Sequence, residues 1–163
     1  MTPSLQFGTA DPGVLYQLRP AVFGLVVDDG RLACVRVSRD IPYLDLPGGA
    51  VDGDESEEQA LVREFIEETG MTVRPLDRVA EAGQFFRRSD DAPVNNLAGF
   101  WLCEPLSINP ESKLESDHEL VWLDPLTALA GLRHDAHAWA VATWLRHPSS
   151  ATIRNTPVPR PLF

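Results

Sequence analysis

The chain has few basic residues and no long apolar run. It carries 14 Lys and Arg against 24 Asp and Glu, which gives a formal net charge of −10. That balance argues against a nucleic-acid-binding surface and against an anionic membrane partner. No apolar run approaches the roughly 18 residues that a membrane-spanning helix needs. The N-terminus lacks a basic region followed by an apolar one, so no secretory signal is predicted.

Cysteine is equally scarce. Cys34 and Cys103 are the two cysteines in the sequence, and neither has the spacing of a metal ligand. Both lie in apolar, strand-like segments, which favours buried free thiols over a disulfide. Without a secretory signal, the expected location is the cytoplasm.

The residues that are present suit one globular domain. The chain has 163 residues, of which 44% are hydrophobic and 23% charged, enough for a single core but too few for two comfortable domains. We expect an N-terminal arm over residues 1–20, with a short strand near 14–18, and a domain over 21–146. Residues 147–163 contain four prolines, which predicts a tail without regular helix.

Apolar and turn patterns predict the strands and two of the helices. Residues 21–27 and 31–37 read as strands around the turn Asp28-Asp29-Gly30. Further strands are expected over 43–46, 71–74 and 117–123, with a turn at Pro47-Gly48-Gly49. Residues 77–88 and 94–103 form a predicted hairpin. Helices are expected over 125–132 and 136–145.

The clearest local prediction is a helix over residues 56–69. Ser56 and Gln59 have the spacing of a capping box. Gly70 is a natural helix stop, because the left-handed conformation costs glycine little. Leu61 and Phe65 belong to the apolar stripe of this helix.

Three carboxylates share one side of that helix. Glu64, Glu67 and Glu68 stand at positions i, i+3 and i+4, so their like charges repel one another. A hard divalent cation such as Mg²⁺ or Mn²⁺ removes the repulsion and prefers oxygen ligands. A solvated acidic face is the alternative interpretation. Arg63 has the spacing to pair with Glu67 or to reach back to Glu55.

The segment 49–71 resembles the Nudix box, G-x5-E-x7-R-E-U-x-E-E-x-G-U, where U is a bulky apolar residue. It matches at every fixed position, although Phe65 stands where an aliphatic residue is commoner. The chain is therefore identified as similar to the Nudix hydrolase superfamily, within its small MutT-like single-domain members. The resemblance implies an α/β fold, a Nudix-type α/β/α sandwich with a mixed β-sheet.

The resemblance also implies an activity and a set of site residues. Similar proteins hydrolyse a nucleoside diphosphate linked to another moiety, X, with Mg²⁺ or Mn²⁺. The metal ligands would be the Gly48 carbonyl with Glu64, Glu67 and Glu68. One glutamate would be the general base, and Glu64 is favoured over the other two. Arg63 and Glu55 would hold the loop and the helix together.

A distal metal-binding acid is expected just before the strand that contains Trp122. MutT-like proteins often place an acidic residue there. Glu119 is the first candidate for this ligand and an alternative general base, and Asp117 is the second candidate. A surface acid at a strand entrance is an equally open interpretation of Glu119. His118 is interpreted as a surface or structural residue.

Three residues are candidates for binding the substrate. Arg36 interrupts an apolar run and would contact a phosphate or a base, or simply point outward from its strand. Phe86 would stack on a base, although aromatic strand residues such as Phe85, Phe86 and Trp101 usually belong to the core. Asn96 would read a base edge, because an amide offers a donor and an acceptor together; a turn or strand-edge role is the alternative.

Marks of several Nudix subfamilies are missing. ADP-ribose hydrolases often carry a proline about fifteen residues past the box, where this chain has Phe85 and Phe86. No tyrosine follows Tyr43, unlike in diadenosine polyphosphate hydrolases, and the upstream coenzyme A pyrophosphatase signature is absent. The expected substrate is a nucleoside triphosphate, unmodified or oxidised, cleaved to monophosphate and pyrophosphate.

Other functions stay open at this level. An ADP-ribose or nucleotide-sugar pyrophosphatase is the enzymatic alternative. A non-catalytic nucleotide sensor usually has a broken box, and this box is intact. A structural divalent-ion module would gain stability from metal without releasing phosphate. The arm and the tail are compatible with a homodimer. The expected partner is a nucleotide-type small molecule, with neither a nucleic acid polymer nor a membrane.

Overall fold

A computed structural model of the chain describes residues 5–146. Its elements, in chain order, are β1 (Gln6–Phe7), β2 (Gln17–Leu25), β3 (Val27–Asp28), β4 (Arg31–Val37), β5 (Tyr43–Asp45), β6 (Gly48–Ala50), α1 (Glu57–Thr69), β7 (Met71–Arg87), β8 (Pro93–Ile108), a 3₁₀ turn (Pro110–Ser112), β9 (His118–Leu123), α2 (Pro125–Gly131) and α3 (Asp135–Leu145). The predicted tail over 147–163 lies outside the described residues.

The strands form two sheets. The larger sheet has the order β1-β7-β8-β2-β6 and is mixed, because β1 runs parallel to β7 and β2 runs parallel to β8 while β7–β8 and β2–β6 are antiparallel. The smaller sheet has β4 at its centre, paired antiparallel with β3, β5 and β9. The predicted hairpin of residues 77–88 and 94–103 is confirmed as the β7–β8 pair.

Helices cover both faces of the strands. Alternate residues of a strand point to opposite faces, and β2 shows this directly. Val22 packs in a core cluster with Leu61 and Phe65 of α1, whereas Phe23 belongs to a second cluster that contains Ala140 of α3. The predicted α/β/α sandwich with a mixed sheet is therefore confirmed.

Local capping defines α1 as the sequence predicts. The Ser56 side chain accepts a hydrogen bond from the Gln59 N–H at 3.1 Å, and the Gln59 side chain accepts one from the Ser56 N–H at 2.9 Å. The helix ends at Gly70, which has φ 73°. A Cβ there would lie 2.3 Å from the Asn109 carbonyl oxygen, so glycine fits both the conformation and the space.

The predicted turn at Pro47-Gly48-Gly49 is wrong at its last two residues. Gly48–Ala50 forms strand β6, with Gly48 opposite Phe23 and Gly49 opposite Val22. Gly48 has φ 142°, and a Cβ on it would lie 2.1 Å from the Val22 carbonyl oxygen. The two glycines therefore let a strand pair form where their sequence pattern suggested a turn.

Other boundaries also differ from the sequence prediction. The expected strands 71–74 and 77–88 are one strand, β7, because bulges near Pro75 absorb the residue that cannot donate to the ladder. The apolar run 21–27 is divided, with Val27 in the smaller sheet. Helices α2 and α3 agree with their predicted ranges to within one residue at each end.

Part of the predicted N-terminal arm belongs to the larger sheet. β1 pairs with Gly83 and Gln84 of β7, and β2 begins at Gln17. The domain boundaries at 20 and 146 stay a prediction.

Cys34 and Cys103 are free and buried. Within residues 5–146, no helix has the length and hydropathy required to cross a bilayer.

Candidate active site

A cleft of about 240 Å³ opens beside β6 and the last turn of α1. Gly48 and Gly49 form part of its wall, and Glu68 reaches it from the helix. The remaining lining residues come from strands β2, β5, β7, β8 and β9, from the loops between β4 and β5 and between β7 and β8, and from the segment before α3. The Nudix-like segment therefore lies at the wall of a concave site.

Glu68 is the most buried of the three helix carboxylates. It is 7% exposed, and its Oε2 accepts a hydrogen bond from the Gly48 N–H at 3.1 Å. Burial raises the pKa of Glu68 well above its ordinary value, and the nearby Glu64 carboxylate adds to that effect. Within residues 5–146, no Lys or Arg nitrogen lies within 4.0 Å of this carboxylate. Its charge has little compensation from the protein.

Glu64 faces the second glycine of β6. A Cβ placed on Gly49 would lie 2.5 Å from Glu64 Oε1, so the absence of a side chain at Gly49 makes room for this carboxylate. Burial raises the pKa of Glu64, although a hydrogen bond from Arg63 opposes that change. The helix and β6 thus place two carboxylates next to consecutive glycines.

Arg63 connects the loop before α1 to the helix carboxylates. Its guanidinium donates to both oxygens of Glu55, at 2.7 and 2.9 Å, and to the Ala50 carbonyl at 3.0 Å. It also donates to Glu64 at 3.0 Å and to Glu67 at 3.3 Å. The hydrogen bonds from Arg63 lower the pKa of Glu55 to about 2. Both contacts that the spacing left open, to Glu55 and to Glu67, are present.

The donor set fits a hard divalent cation. Glu64, Glu67 and Glu68 supply carboxylate oxygens from one side of α1, and Mg²⁺ and Mn²⁺ prefer such ligands. Glu64 and Glu68 are largely buried, and this burial raises the pKa of both carboxyl groups; the neighbouring charge of Glu67 adds to the rise at Glu64, and that of Glu64 adds to the rise at Glu68. A cation beside Glu68 would compensate a charge that has no Lys or Arg partner within residues 5–146.

The structure does not bring Glu119 or Arg36 to this cleft. His118 is the residue of β9 that points toward α1, with Nε2 3.5 Å from Glu68 Oε1. Because neighbouring strand residues alternate between faces, Glu119 lies on the other face, where its side chain is 66% exposed and pairs with Arg36 at 3.7 Å. Asp117, the second candidate, contacts His118 Nδ1 at 2.7 Å.

Phe86 and Asn96 do line the cleft. Phe86 is half-buried, with its ring 4.8 Å from the ring of His134 in an edge-on arrangement. Asn96 is 3% exposed, and its Oδ1 accepts a hydrogen bond from Arg19 at 3.1 Å. Phe85 and Trp101, which were expected in the core with Phe86, are also half-buried.

Sequence reasoning missed the arginines of the cleft. Within residues 5–146, the lining includes Arg19, Arg39, Arg88 and Arg133. They come from four separate segments, so no spacing in the sequence links them. Their concentration gives an acidic protein a cleft that suits an anionic ligand.

Arg133 is held between a ring and a carboxylate. Its guanidinium carbon lies 3.6 Å from the centre of the Tyr43 ring, and its Nη2 donates to Asp45 at 2.6 Å. Burial raises the pKa of Asp45 to about 6, against the opposing effect of Arg133. Burial lowers the pKa of His134 to about 3, so this imidazole is neutral at pH 7 and adds no charge to the cleft.

Known proteins resemble this chain in sequence and in fold. The family model described as "NUDIX domain" matches residues 17–145. A Bacillus subtilis (strain 168) protein named "Putative 8-oxo-dGTP diphosphatase" is 46% identical over 48 residues, which span 29% of this chain and 32% of that protein. Among solved structures, a NUDIX hydrolase from Nitrosomonas europaea is 19% identical over 85% of this chain and 92% of its own, with a TM-score of 0.67.

A second solved structure, the MutT NUDIX hydrolase from Burkholderia pseudomallei, is 25% identical over 78% of this chain and 98% of its own, with a TM-score of 0.55. The family match covers β2 to the end of α3 and includes the complete glutamate-bearing helix. That match shows that the chain belongs to the NUDIX domain family, and the chain resembles MutT-like members of it.

Proposed function

We propose that this chain hydrolyses a diphosphate linkage in a nucleoside diphosphate linked to a further moiety. The proposed substrate is a nucleoside triphosphate, unmodified or oxidised, and water converts it to nucleoside monophosphate and pyrophosphate. The observation that carries the proposal is the placement of Glu64 and Glu68 against Gly49 and Gly48 at the wall of an arginine-lined cleft.

Glu64, Glu67, Glu68 and the Gly48 carbonyl would hold Mg²⁺ or Mn²⁺. When bound, such a cation neutralises the diphosphate oxygens, orients them and lowers the pKa of a bound water. The identity of the ion stays a proposal. Oxygen ligands and the charge of the carboxylates favour both ions over softer metals.

The protein supplies the base and holds it in place. We assign the general base to Glu64, whose burial raises its pKa toward the range in which a carboxylate accepts a proton efficiently. Arg63 orients this carboxylate through its 3.0 Å hydrogen bond. Through Glu55 and the Ala50 carbonyl, the same guanidinium keeps the preceding loop against the helix.

The cleft also offers groups for a nucleoside. Phe86 presents an aromatic face beside neutral His134, and bases stack on such faces at a gain of about 1–3 kcal/mol each. Asn96 is buried with its oxygen occupied by Arg19, which leaves its amide N–H groups for a base or a ribose.

A larger leaving group is the second candidate. A groove of about 810 Å³ adjoins the cleft and shares Arg39, Tyr43, Arg88 and Arg133 with it. Apolar residues such as Ile41 also line this groove. Its size favours ADP-ribose or a nucleotide sugar, in which X is a sugar rather than a phosphate.

A hydrolysis panel tests the proposal and separates the two candidates. Purified protein would be incubated with Mg²⁺, and separately with Mn²⁺, in the presence of each candidate substrate: unmodified and 8-oxo nucleoside triphosphates, ADP-ribose, nucleotide sugars, dinucleoside polyphosphates and coenzyme A. Products would be resolved by chromatography. Metal-dependent release of pyrophosphate from a triphosphate supports the proposal, whereas preferential cleavage of ADP-ribose or a nucleotide sugar supports the second candidate.

Glu68→Gln is the decisive variant. It removes a buried charge next to Gly48, so we expect metal-dependent turnover to fall at least a hundredfold while the protein stays folded, since single active-site groups are commonly worth about 10²–10⁴-fold. Glu58→Gln on the same helix is the matched control, because Glu58 is exposed. Near-normal turnover in Glu68→Gln contradicts the assignment. A nucleotide that raises the melting temperature without being cleaved indicates a sensor.

Two further expectations belong to the proposal. We infer a cytoplasmic location from the free, buried thiols of Cys34 and Cys103, which suit a reducing compartment. Homodimerisation stays a prediction, and light scattering of the purified protein measures it.

A further inference from the structure

Arg19 is fixed in the wall of the cleft by a neighbouring strand. It lies on β2 directly opposite Asn96 of the parallel strand β8. Its Nη1 donates to Asn96 Oδ1 at 3.1 Å, and Asn96 is itself 97% buried, being 3% exposed. Both residues line the cleft. The position of this guanidinium is therefore set by a buried side chain rather than by solvent.

Arg19 differs from the other cleft arginines in its charge partners. Three of the four have a carboxylate within hydrogen-bonding distance, namely Arg39 with Asp117 at 3.1 Å, Arg88 with Asp90 at 2.9 Å and Arg133 with Asp45 at 2.6 Å. Within residues 5–146, Arg19 has no carboxylate oxygen within 4.0 Å. Its charge is available to a ligand.

Burial makes that unpaired charge costly without an anion. Desolvation lowers the pKa of Arg19; the carboxylates of Glu64 and Asp52, neither within 4.0 Å, oppose that change, and the charge of Arg88 adds to it. A partly buried cation without a counterion is unfavourable, so an anion that entered the cleft would gain more from Arg19 than from an exposed arginine.

The geometry also leaves donors for such an anion. A guanidinium has five N–H donors, and one hydrogen bond from Nη1 to Asn96 is recorded among residues 5–146. The remaining donors include an edge that can hold two phosphate oxygens at once. Arg19 lines the same cleft as Gly49, the glycine against which the proposed base Glu64 lies.

We propose that Arg19 binds a phosphate group of the substrate beside Glu64, and that Asn96 is the positioning residue that holds Arg19 for this contact. The ligand class is a diphosphate or triphosphate chain. This inference rests on the proposed function for the identity of the substrate, but the anion site itself is testable without turnover.

The test compares Arg19→Gln with Arg74→Gln. Arg74 pairs with Glu104 at the exposed surface, outside the cleft, so both variants remove one positive charge. The dissociation constant for inorganic pyrophosphate with Mg²⁺ would be measured by calorimetry, and kcat and KM by hydrolysis of the preferred triphosphate. We expect Arg19→Gln to raise the dissociation constant and KM on the order of tenfold to a hundredfold, and Arg74→Gln to match wild type.

The outcomes separate this inference from the proposed function. If wild type hydrolyses nucleotides but Arg19→Gln keeps the wild-type KM and pyrophosphate affinity, the Arg19 site is refuted and the function stands. If no nucleotide is hydrolysed while Arg19→Gln, unlike Arg74→Gln, loses its affinity for pyrophosphate, the function is refuted and the Arg19 site stands. Asn96→Ala should weaken the binding of inorganic pyrophosphate, which has neither base nor ribose, in the same direction as Arg19→Gln; an unchanged pyrophosphate affinity refutes its positioning role.

A measurement on the unmodified protein covers the case in which Arg19→Gln does not fold. The arginine Nε–Hε signals of ¹⁵N-labelled wild-type protein would be followed by NMR during a titration with pyrophosphate and Mg²⁺, with Arg19→Lys used for assignment. The Arg19 signal should shift while the Arg74 signal does not. An Arg19 signal that stays in place at saturation overturns the proposal.

Discussion

The two glycines of β6 are expected to respond to alanine in opposite ways. At Gly48, a methyl group would lie 2.1 Å from the Val22 carbonyl oxygen and would have to be accommodated at φ 142°. The obstacle is the backbone of a paired strand, which cannot move without breaking the β2–β6 ladder. At Gly49, the obstacle is the end of the Glu64 side chain, at 2.5 Å, and a side chain can rotate.

The two substitutions therefore separate stability from catalysis. For Gly48→Ala, an unfavourable φ and an overpacked core cost about 1–3 kcal/mol each. At roughly 2–4 °C per kcal/mol for a domain of this size, the melting temperature should fall by about 5–20 °C. For Gly49→Ala, moving Glu64 Oε1 from 2.5 Å to the 3.4 Å of ordinary contact displaces it by about 0.9 Å. A displacement of about 1 Å commonly costs a hundredfold in rate.

Circular dichroism melts and kcat for the best substrate of the panel measure both effects. Gly49→Ala should melt within a few degrees of wild type and lose about two orders of magnitude in kcat. If Gly49→Ala keeps the wild-type kcat, the Glu64 carboxylate is not needed where the structure has it. A wild-type melting temperature in Gly48→Ala would contradict the close approach of β6 to β2.

Two further predictions concern stability. Because Arg63 lowers the pKa of Glu55 from 4.5 to about 2, the stabilisation from this pair is present above pH 4.5 and is lost as the pH falls toward 2. In urea unfolding, the difference in free energy of unfolding between wild type and Glu55→Gln should therefore narrow as the pH falls over this range. A difference that stays constant contradicts the pairing. Gln84 accepts the Ala136 N–H at 3.1 Å, where α3 lacks a side-chain cap. Gln84→Leu should lower the free energy of unfolding in urea by about 1–3 kcal/mol. Gln84→Glu keeps an acceptor and should be less affected. Equal urea midpoints for Gln84→Leu and wild type contradict this role of Gln84.

Local features of the fold could be predicted from the sequence because the residues that cause them lie close together in the chain. The capping residues of α1, its Gly70 stop and the spacing of its glutamates lie within one stretch of sequence. The turn between β3 and β4 was equally visible, since Asp29 and Gly30 have the positive φ angles that such residues tolerate. The β7–β8 hairpin followed from two extended segments around one turn.

The missed features depend on strand register and on distant segments. Whether His118 or Glu119 faces α1 is decided by the pairing of Val37 with His118 in the β4–β9 ladder, and a shift of one residue would exchange them. The register of this ladder also places Arg36 opposite Glu119, so both side chains lie on the outward face. The cleft arginines come together only after the sheets have formed, so no periodicity in the sequence predicts that they share a site.

The short strand β1 has a consequence for handling the protein. β7 would otherwise be the edge of the larger sheet, and unpaired strand edges invite pairing between molecules. β1 covers this edge at Gly83 and Gln84, and bulges interrupt it nearer its start, around Pro75. A chain shortened to begin at Gln17 would keep every residue of the cleft yet uncover the regular part of that edge. Such a fragment is expected to aggregate, so the first strand works as a shield against self-association.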